Sequence, residues 1–242
     1  MSRWTLHVAP WALPWIPQSQ ATVDALLAAF STPLRILKDD RRSLVILLPE
    51  LPDSNGGHAL SGGGPWVCKR PRWRDGRGWH RLLSLFQPGE MRRAFDAALR
   101  LLELGIATPQ PLLLMEHRRW GLMVESWLVY RYVPGEAVGE EQWPLVVEAL
   151  KSLHSAGLRH GDPHLANWLK DGLGGVVALD SGPRPMRFLL ADDAYDFVLL
   201  RNCVPAVRPL LPLQDTWKWR VAEARNAWVQ GWRRVKRKVR RR

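Results

Sequence analysis

His160-Gly161-Asp162-Pro163-His164-Leu165-Ala166-Asn167 puts two histidines, an aspartate and an asparagine into eight residues. The segment follows a stretch of helical periodicity, residues 142–156, in which Val146, Leu150 and Leu153 share one face and Gly157 supplies the stop. The polar cluster therefore reads as a loop, where such groups can face a cleft without entering the core. Beyond it, residues 168–170 and 176–179 read as two short strands around the turn 171–175. Asp180 ends the second strand and precedes Ser181-Gly182. A carboxylate at a strand end, followed by a flexible turn, is placed to face a bound metal.

Working outward, residues 192–203 and 217–242 read as helices, the second with a basic end. Upstream, residues 133–136 (Val-Pro-Gly-Glu) break a strand and suggest a hinge between a strand-rich part and a helical part. Before the hinge come strands at 112–116 and 122–132 around the turn 118–121. Residues 90–104 have helical spacing, with Met91, Phe95, Ala98, Leu99 and Leu102 on one face and Gly105 as the stop. Residues 66–70 form a short strand, and the apolar runs 34–38 and 44–48 read as a hairpin. Residues 49–65, rich in Gly, Pro, Asn and Ser, read as a surface loop. Residues 24–30 suggest a short helix stopped near Pro33, and residues 1–20 an irregular arm packed through Trp4, Trp11 and Trp15. No internal repeat is present.

Lys69 sits in the otherwise apolar strand Trp66-Val67-Cys68-Lys69, an uncomfortable place for a charge unless it points into a polar cleft. With the loop, it supplies the parts for phosphoryl transfer. One Asp orients the acceptor hydroxyl and takes its proton. An Asn and a second Asp hold a divalent metal, and a Lys steadies the α and β phosphates. Mg²⁺ takes oxygen ligands, which Asn167 and Asp180 can offer. Two plainer readings stand beside this one. The loop can be an Asx-rich turn that caps its own backbone. A zinc site from His160, Asp162 and His164 is the other, and it leaves Asn167, Asp180 and Lys69 without a role.

The segment 160–167 resembles the catalytic loop of the protein-kinase-like superfamily, in the variant with Gly after the first His and a second His two residues beyond the Asp. Leu153-His154-Ser155-Ala156-Gly157-Leu158 is similar to the helix end that precedes that loop, and Asp180-Ser181-Gly182 stands where the metal-binding Asp-Phe-Gly would be. Within the superfamily the chain looks most like the bacterial lipopolysaccharide core kinases, which phosphorylate Kdo or heptose. Residues 104–111 resemble the segment after that group's helix C, and residues 127–135 its hinge strand. The likeness spans roughly residues 34–200. It implies an α+β, two-lobed protein-kinase-like fold with an antiparallel-sheet N-lobe and a mainly helical C-lobe. The implied division is an N-terminal arm at 1–33, an N-lobe at 34–133, a C-lobe at 134–232 and a basic tail at 233–242.

The same resemblance implies Asp162 as catalytic base, Asn167 and Asp180 as metal ligands, and Lys69 as the phosphate-contacting lysine. His160 becomes the structural histidine of the loop, and Tyr132 and Val133 lie near the adenine. ATP and Mg²⁺ are the implied cofactors, and a sugar hydroxyl of lipopolysaccharide core or a related envelope glycolipid the implied acceptor. The chain departs from the pattern in three places. No Gly-x-Gly-x-x-Gly lies between the first two strands, Ser181 replaces the Phe of the metal motif, and Ala94 stands where a glutamate partner for the lysine is expected, leaving Glu90 as the substitute. The departures keep open an inactive kinase-like module that binds membrane or a partner. A kinase for a small soluble metabolite or a protein is the third reading.

Composition constrains the partners. The chain has 242 residues and 46% hydrophobic residues, enough for a substantial core. Its formal charge is +12, but eight basic residues and no acid lie in 233–242, which leaves +4 for the remainder. Tail basicity together with Trp217, Val221, Ala224, Trp228, Trp232 and Val235 on one helical stripe suggests peripheral contact with an anionic membrane. The plainer alternative is a last helix with its tryptophans packed inward and a solvated charge run. Phosphate attraction by such a tail is non-specific, so no specific nucleic acid is expected. Cys68 and Cys203 make no disulfide framework and read as small core residues in a reducing compartment. No apolar stretch is long enough to span a bilayer, and Pro10, Pro14 and Pro17 interrupt the apolar N-terminus, so no signal peptide is expected. The expected location is the cytoplasm, peripheral on the inner face of the inner membrane.

Overall fold

The structure is a computed structural model that describes residues 2–49, 65–72, 84–179 and 184–239. The chain divides into two compact units, Met1–Leu102 with Pro109–Val133, and Glu103–Thr108 with Pro134–Arg242.

The first unit is built on an antiparallel sheet of β1 (Ser2–Val8), β2 (Arg35–Asp39), β3 (Ser43–Leu48), β4 (Trp66–Pro71), β5 (Pro111–Arg119) and β6 (Leu122–Arg131). Their spatial order is β1-β5-β6-β4-β3-β2. The β2–β3 turn is held by Asp40, whose Oδ1 accepts the Arg42 and Ser43 amides at 2.7 and 2.8 Å. The Ser43 amide, then that of Arg42, holds this carboxyl down at about 2. Trp120 and Gly121, with φ of 51° and 78°, close the β5–β6 hairpin. Two positive φ values match the twist of the flanking strands.

Residues 2–8 are a strand, not part of an irregular arm. Trp4, Leu6 and Val8 alternate with Arg3, Thr5 and His7, and β1 pairs along β5 from Ser2 opposite Arg119 to Val8 opposite Leu113. The period of two is in the sequence, but the partner lies about a hundred residues away. Trp11 does act as an anchor, its Nε1 donating to the Pro111 carbonyl at 3.0 Å. Helix α1 (Gln20–Ser31) starts four residues before the expected position because Ser19 caps it, accepting from the Thr22 amide at 3.2 Å. Its Phe30 stacks on Trp127 of β6 at 4.4 Å.

Helix α2 (Glu90–Glu103) buries Met91 and Phe95 as expected. Ala97 and Leu101 complete its buried face in place of Ala98, Leu99 and Leu102, which stay half-buried. The run Ala97-Ala98-Leu99-Arg100-Leu101-Leu102 offers two nearly equivalent apolar faces, so packing chooses between them.

The second unit is mainly helical. It contains β7 (Glu136–Ala137), α3 (Trp143–Ser155), β8 (Leu158–Arg159), β9 (Trp168–Lys170), β10 (Val176–Ala178), β11 (Arg184–Pro185), α4 (Asp192–Cys203) and α5 (Trp217–Val239). Strands β10, β9 and β7 form one small sheet, and β11 pairs with β8. Asp171 builds the β9–β10 turn by accepting the Leu173 and Gly175 amides. Helix α4 is buried on nearly every side, including Asp192 and Asp196. An antiparallel-sheet unit followed by a mainly helical one, in this order, is an α+β protein-kinase-like fold.

Asp192 is buried and faces three guanidinium groups. Arg225 approaches at 2.6 Å, Arg187 at 3.1 Å and Arg159 at 3.4 Å. Burial alone would raise its carboxyl, but hydrogen bonds from Arg187 and Arg225 outweigh burial and hold it below the usual carboxylate range. A depressed folded pKa contributes stability above the unfolded value, near 4, and loses it as pH falls through the folded value. Asp192→Asn is expected to cost about 3 kcal/mol at neutral pH. The difference from wild type shrinks as pH drops below about 4. Urea unfolding of both proteins across that range checks this, and a pH-independent difference contradicts it.

Candidate active site

Helix α3 stops at Gly157, which has φ of +73°, and β8 carries the chain into residues 160–167. The loop hangs from one buried carboxylate. Asp196 of α4 is fully buried, its Oδ2 accepting the His160 amide at 2.7 Å and its Oδ1 the Gly161 amide at 2.9 Å. His154 at the end of α3 brings Nε2 to 3.2 Å from the same Oδ2. A buried carboxylate persists only with such donors, so these contacts fix the loop's start. Gly161, with φ of +85°, makes the turn that lets successive amides reach one carboxylate.

The rest of the loop closes on itself. The His160 ring is buried 5.2 Å from the Trp168 ring, with Nδ1 at 3.4 Å from the Asp162 amide. His164 Nδ1 accepts the Ala166 amide at 3.2 Å and caps the single turn 165–167. Asn167 Nδ2 donates to the Asp162 carbonyl at 2.8 Å. An amide side chain that spends its NH₂ this way has its Oδ1 left as an acceptor. Asp162 is thus held by its backbone from both sides while its carboxylate is exposed. The Asn167 carbonyl accepts the Leu179 amide at 2.7 Å, which ties the end of β10 to the loop. Asp180, Ser181 and Gly182 lie outside the described residues.

Cys203, at the end of α4, is exposed rather than a core residue. Partial burial, and then the Asp162 charge, push its thiol up. Cys68 is fully buried, and burial raises its thiol strongly.

The remaining predicted residues belong to the first unit. Lys69 is half-buried in β4, opposite Val45 of β3 and Leu128 of β6. Strand alternation puts it on the opposite face from Cys68. Tyr132 extends the pairing beyond β6 by donating its amide to the Pro65 carbonyl at 3.0 Å, and Val133 follows it, half-buried. Glu90 is exposed at the first residue of α2 and forms no ion pair among the described residues. Ala94 packs against the core.

Sequence reasoning missed Asp196. Its signal was a carboxylate inside the apolar run Ala194-Tyr195-Asp196-Phe197-Val198-Leu199-Leu200, a position that burial makes costly without donors. Among the described residues no three His, Cys, Asp or Glu side chains converge on a metal position. The zinc alternative fails because His160, Asp162 and His164 do not converge on one position. Asn167 Oδ1, a neutral oxygen donor, does suit a hard cation such as Mg²⁺.

No protein-family model matches the chain, and no curated protein matches it. Among solved structures it is similar to one described as WaaP in complex with acyl carrier protein. The identity is 13%, the alignment covers 90% of this chain and 98% of that one, and the TM-score is 0.49. Residue roles therefore rest on the geometry above.

Proposed function

We propose that the chain is an ATP- and Mg²⁺-dependent phosphotransferase acting on a sugar hydroxyl of lipopolysaccharide core or a related envelope glycolipid. The observation that carries this reading is the exposed Asp162 carboxylate on a backbone locked by Asp196 and Asn167. Phosphoryl transfer asks little covalent chemistry of a protein and much positioning. Asp162 orients the acceptor hydroxyl and takes its proton at the carboxylate. His160 positions Asp162 through the loop. Lys69 holds the α and β phosphates, and the Tyr132–Val133 backbone meets the adenine. Asn167 and Asp180 would hold Mg²⁺, which, when bound, offsets phosphate charge. The acceptor is a lipid-linked sugar presented at the cytoplasmic face of a bacterial inner membrane, and no specific nucleic acid takes part. Among the described residues no helix is long and apolar enough to cross a membrane.

Calorimetry of ATP with and without Mg²⁺, on wild type and Asp180→Asn, tests the reading. Magnesium-dependent binding that the substitution weakens by about tenfold is the expected result. A second reading, an inactive kinase-like module docking on membrane or a partner, is favoured by Glu90, which forms no ion pair among the described residues, and by the core-packed Ala94. Absence of binding at millimolar ATP by folded protein selects it.

A further inference from the structure

Helix α5 has two apolar faces, and α4 covers one of them. Trp219 and Ala222 are buried on that side, where Lys218 pairs with Asp193 and Arg225 with Asp192. The other face repeats every three to four residues through Trp217, Val221, Ala224, Trp228, Trp232 and Val235, and water meets all of these but the half-buried Val221. Trp228 is 71% exposed, Trp232 52% and Trp217 50%. The turn 188–190 adds Phe188 at 66% and Leu189 at 82% exposure.

This turn is fastened to the helix. Arg225 Nη1 donates to the Leu190 carbonyl at 3.2 Å, the Phe188 ring meets the Trp217 ring edge-on at 5.7 Å, and Lys218 Nζ lies 4.8 Å over Phe188. Turn and stripe are therefore neighbouring parts of one apolar surface, and an exposed surface this apolar marks an interaction site. Cations border it. Lys236 lies 5.3 Å from the Trp232 ring, and the chain beyond position 232 holds eight basic residues and no acid.

We propose that the turn 188–190 and the outer face of α5 form a peripheral docking surface for an anionic lipid bilayer. Tryptophan favours the bilayer interface, and leucine and phenylalanine enter the acyl boundary. Lysine and arginine meet anionic headgroups within a Debye length. Leu189 and Val235 decide against single-stranded nucleic acid, since aliphatic side chains offer no stacking plane. The proposal deepens the reading of a membrane-linked acceptor. Vesicle binding is scored without turnover, so its failure leaves phosphoryl transfer untouched.

The test is co-sedimentation of the full chain with phosphatidylcholine vesicles, with and without about 30 mol % phosphatidylglycerol. Wild type should pellet with the anionic vesicles alone, and less as salt rises. Leu189→Ser/Trp228→Ser/Trp232→Ser should reduce partitioning about tenfold or more while circular dichroism stays unchanged. Should the triple variant unfold, Leu189→Asp alone, at the most exposed position of the turn, takes its place with the same expected direction. No binding overturns the proposal, as does equal binding to neutral vesicles. Undiminished binding by the folded variant assigns the effect to tail charge alone and overturns it too. Tighter binding to a single-stranded oligonucleotide, lost in the same variant, replaces the bilayer with nucleic acid.

Discussion

Asp162→Ala should lower kcat by about 10³-fold with ATP affinity unchanged within about twofold. The expectation follows from how Asp162 is held. Its contacts within the loop run through its backbone, the amide beside His160 Nδ1 and the carbonyl bonded by Asn167. Removing the carboxylate leaves both in place, so the loop keeps its shape and only the proposed proton acceptor is lost. Asp162→Asn should be equally inactive, because it is isosteric but cannot take a proton. Phosphate incorporation into lipopolysaccharide core acceptors at saturating ATP measures the effect. Near-wild-type turnover in either variant removes Asp162 from the chemistry.

Asp196→Ala should cost stability as well as turnover. The carboxylate is fully buried and satisfies the His160 and Gly161 amides with His154 beside them. Alanine leaves those donors without their acceptor, at about 1–3 kcal/mol for each unsatisfied buried group, so a total loss of about 3 kcal/mol or more is expected. Asp196→Asn is the informative variant. Its one carbonyl oxygen can accept from only part of the set, and its NH₂ faces a donor. It should fold, lose about half as much stability, and lower kcat at least about tenfold while ATP binding persists. That split marks a positioning residue, because a merely structural defect would lower active protein and ATP-binding capacity together. A urea midpoint like wild type's for Asp196→Ala would show that the loop is fixed by something else.

Much of the candidate site is local, and local features are legible. Helix α3 with its Gly157 stop, the Asp171 hairpin and the loop between them follow from periodicity, left-handed glycine and short-range hydrogen bonds. The His160–Asn167 loop carries closing bonds of its own within eight residues, so its character as a polar loop was readable before any packing. Asp196 was not, because its meaning lies in donors 35 and 36 residues away.

The sequence by itself determined the order of the main strands and helices after the first strand, the hairpins, and the polar loop around Asp162. Each of these depends on interactions across a few residues. Tertiary structure alone decided that residues 2–8 join the sheet beside β5, that Leu101 rather than Leu102 faces the core, and that Trp219 turns inward while Trp228 and Trp232 turn out. In each case the sequence offers two acceptable apolar faces or an unpaired strand. Periodicity makes a face without naming what covers it, and the choice falls to the neighbour that buries more surface.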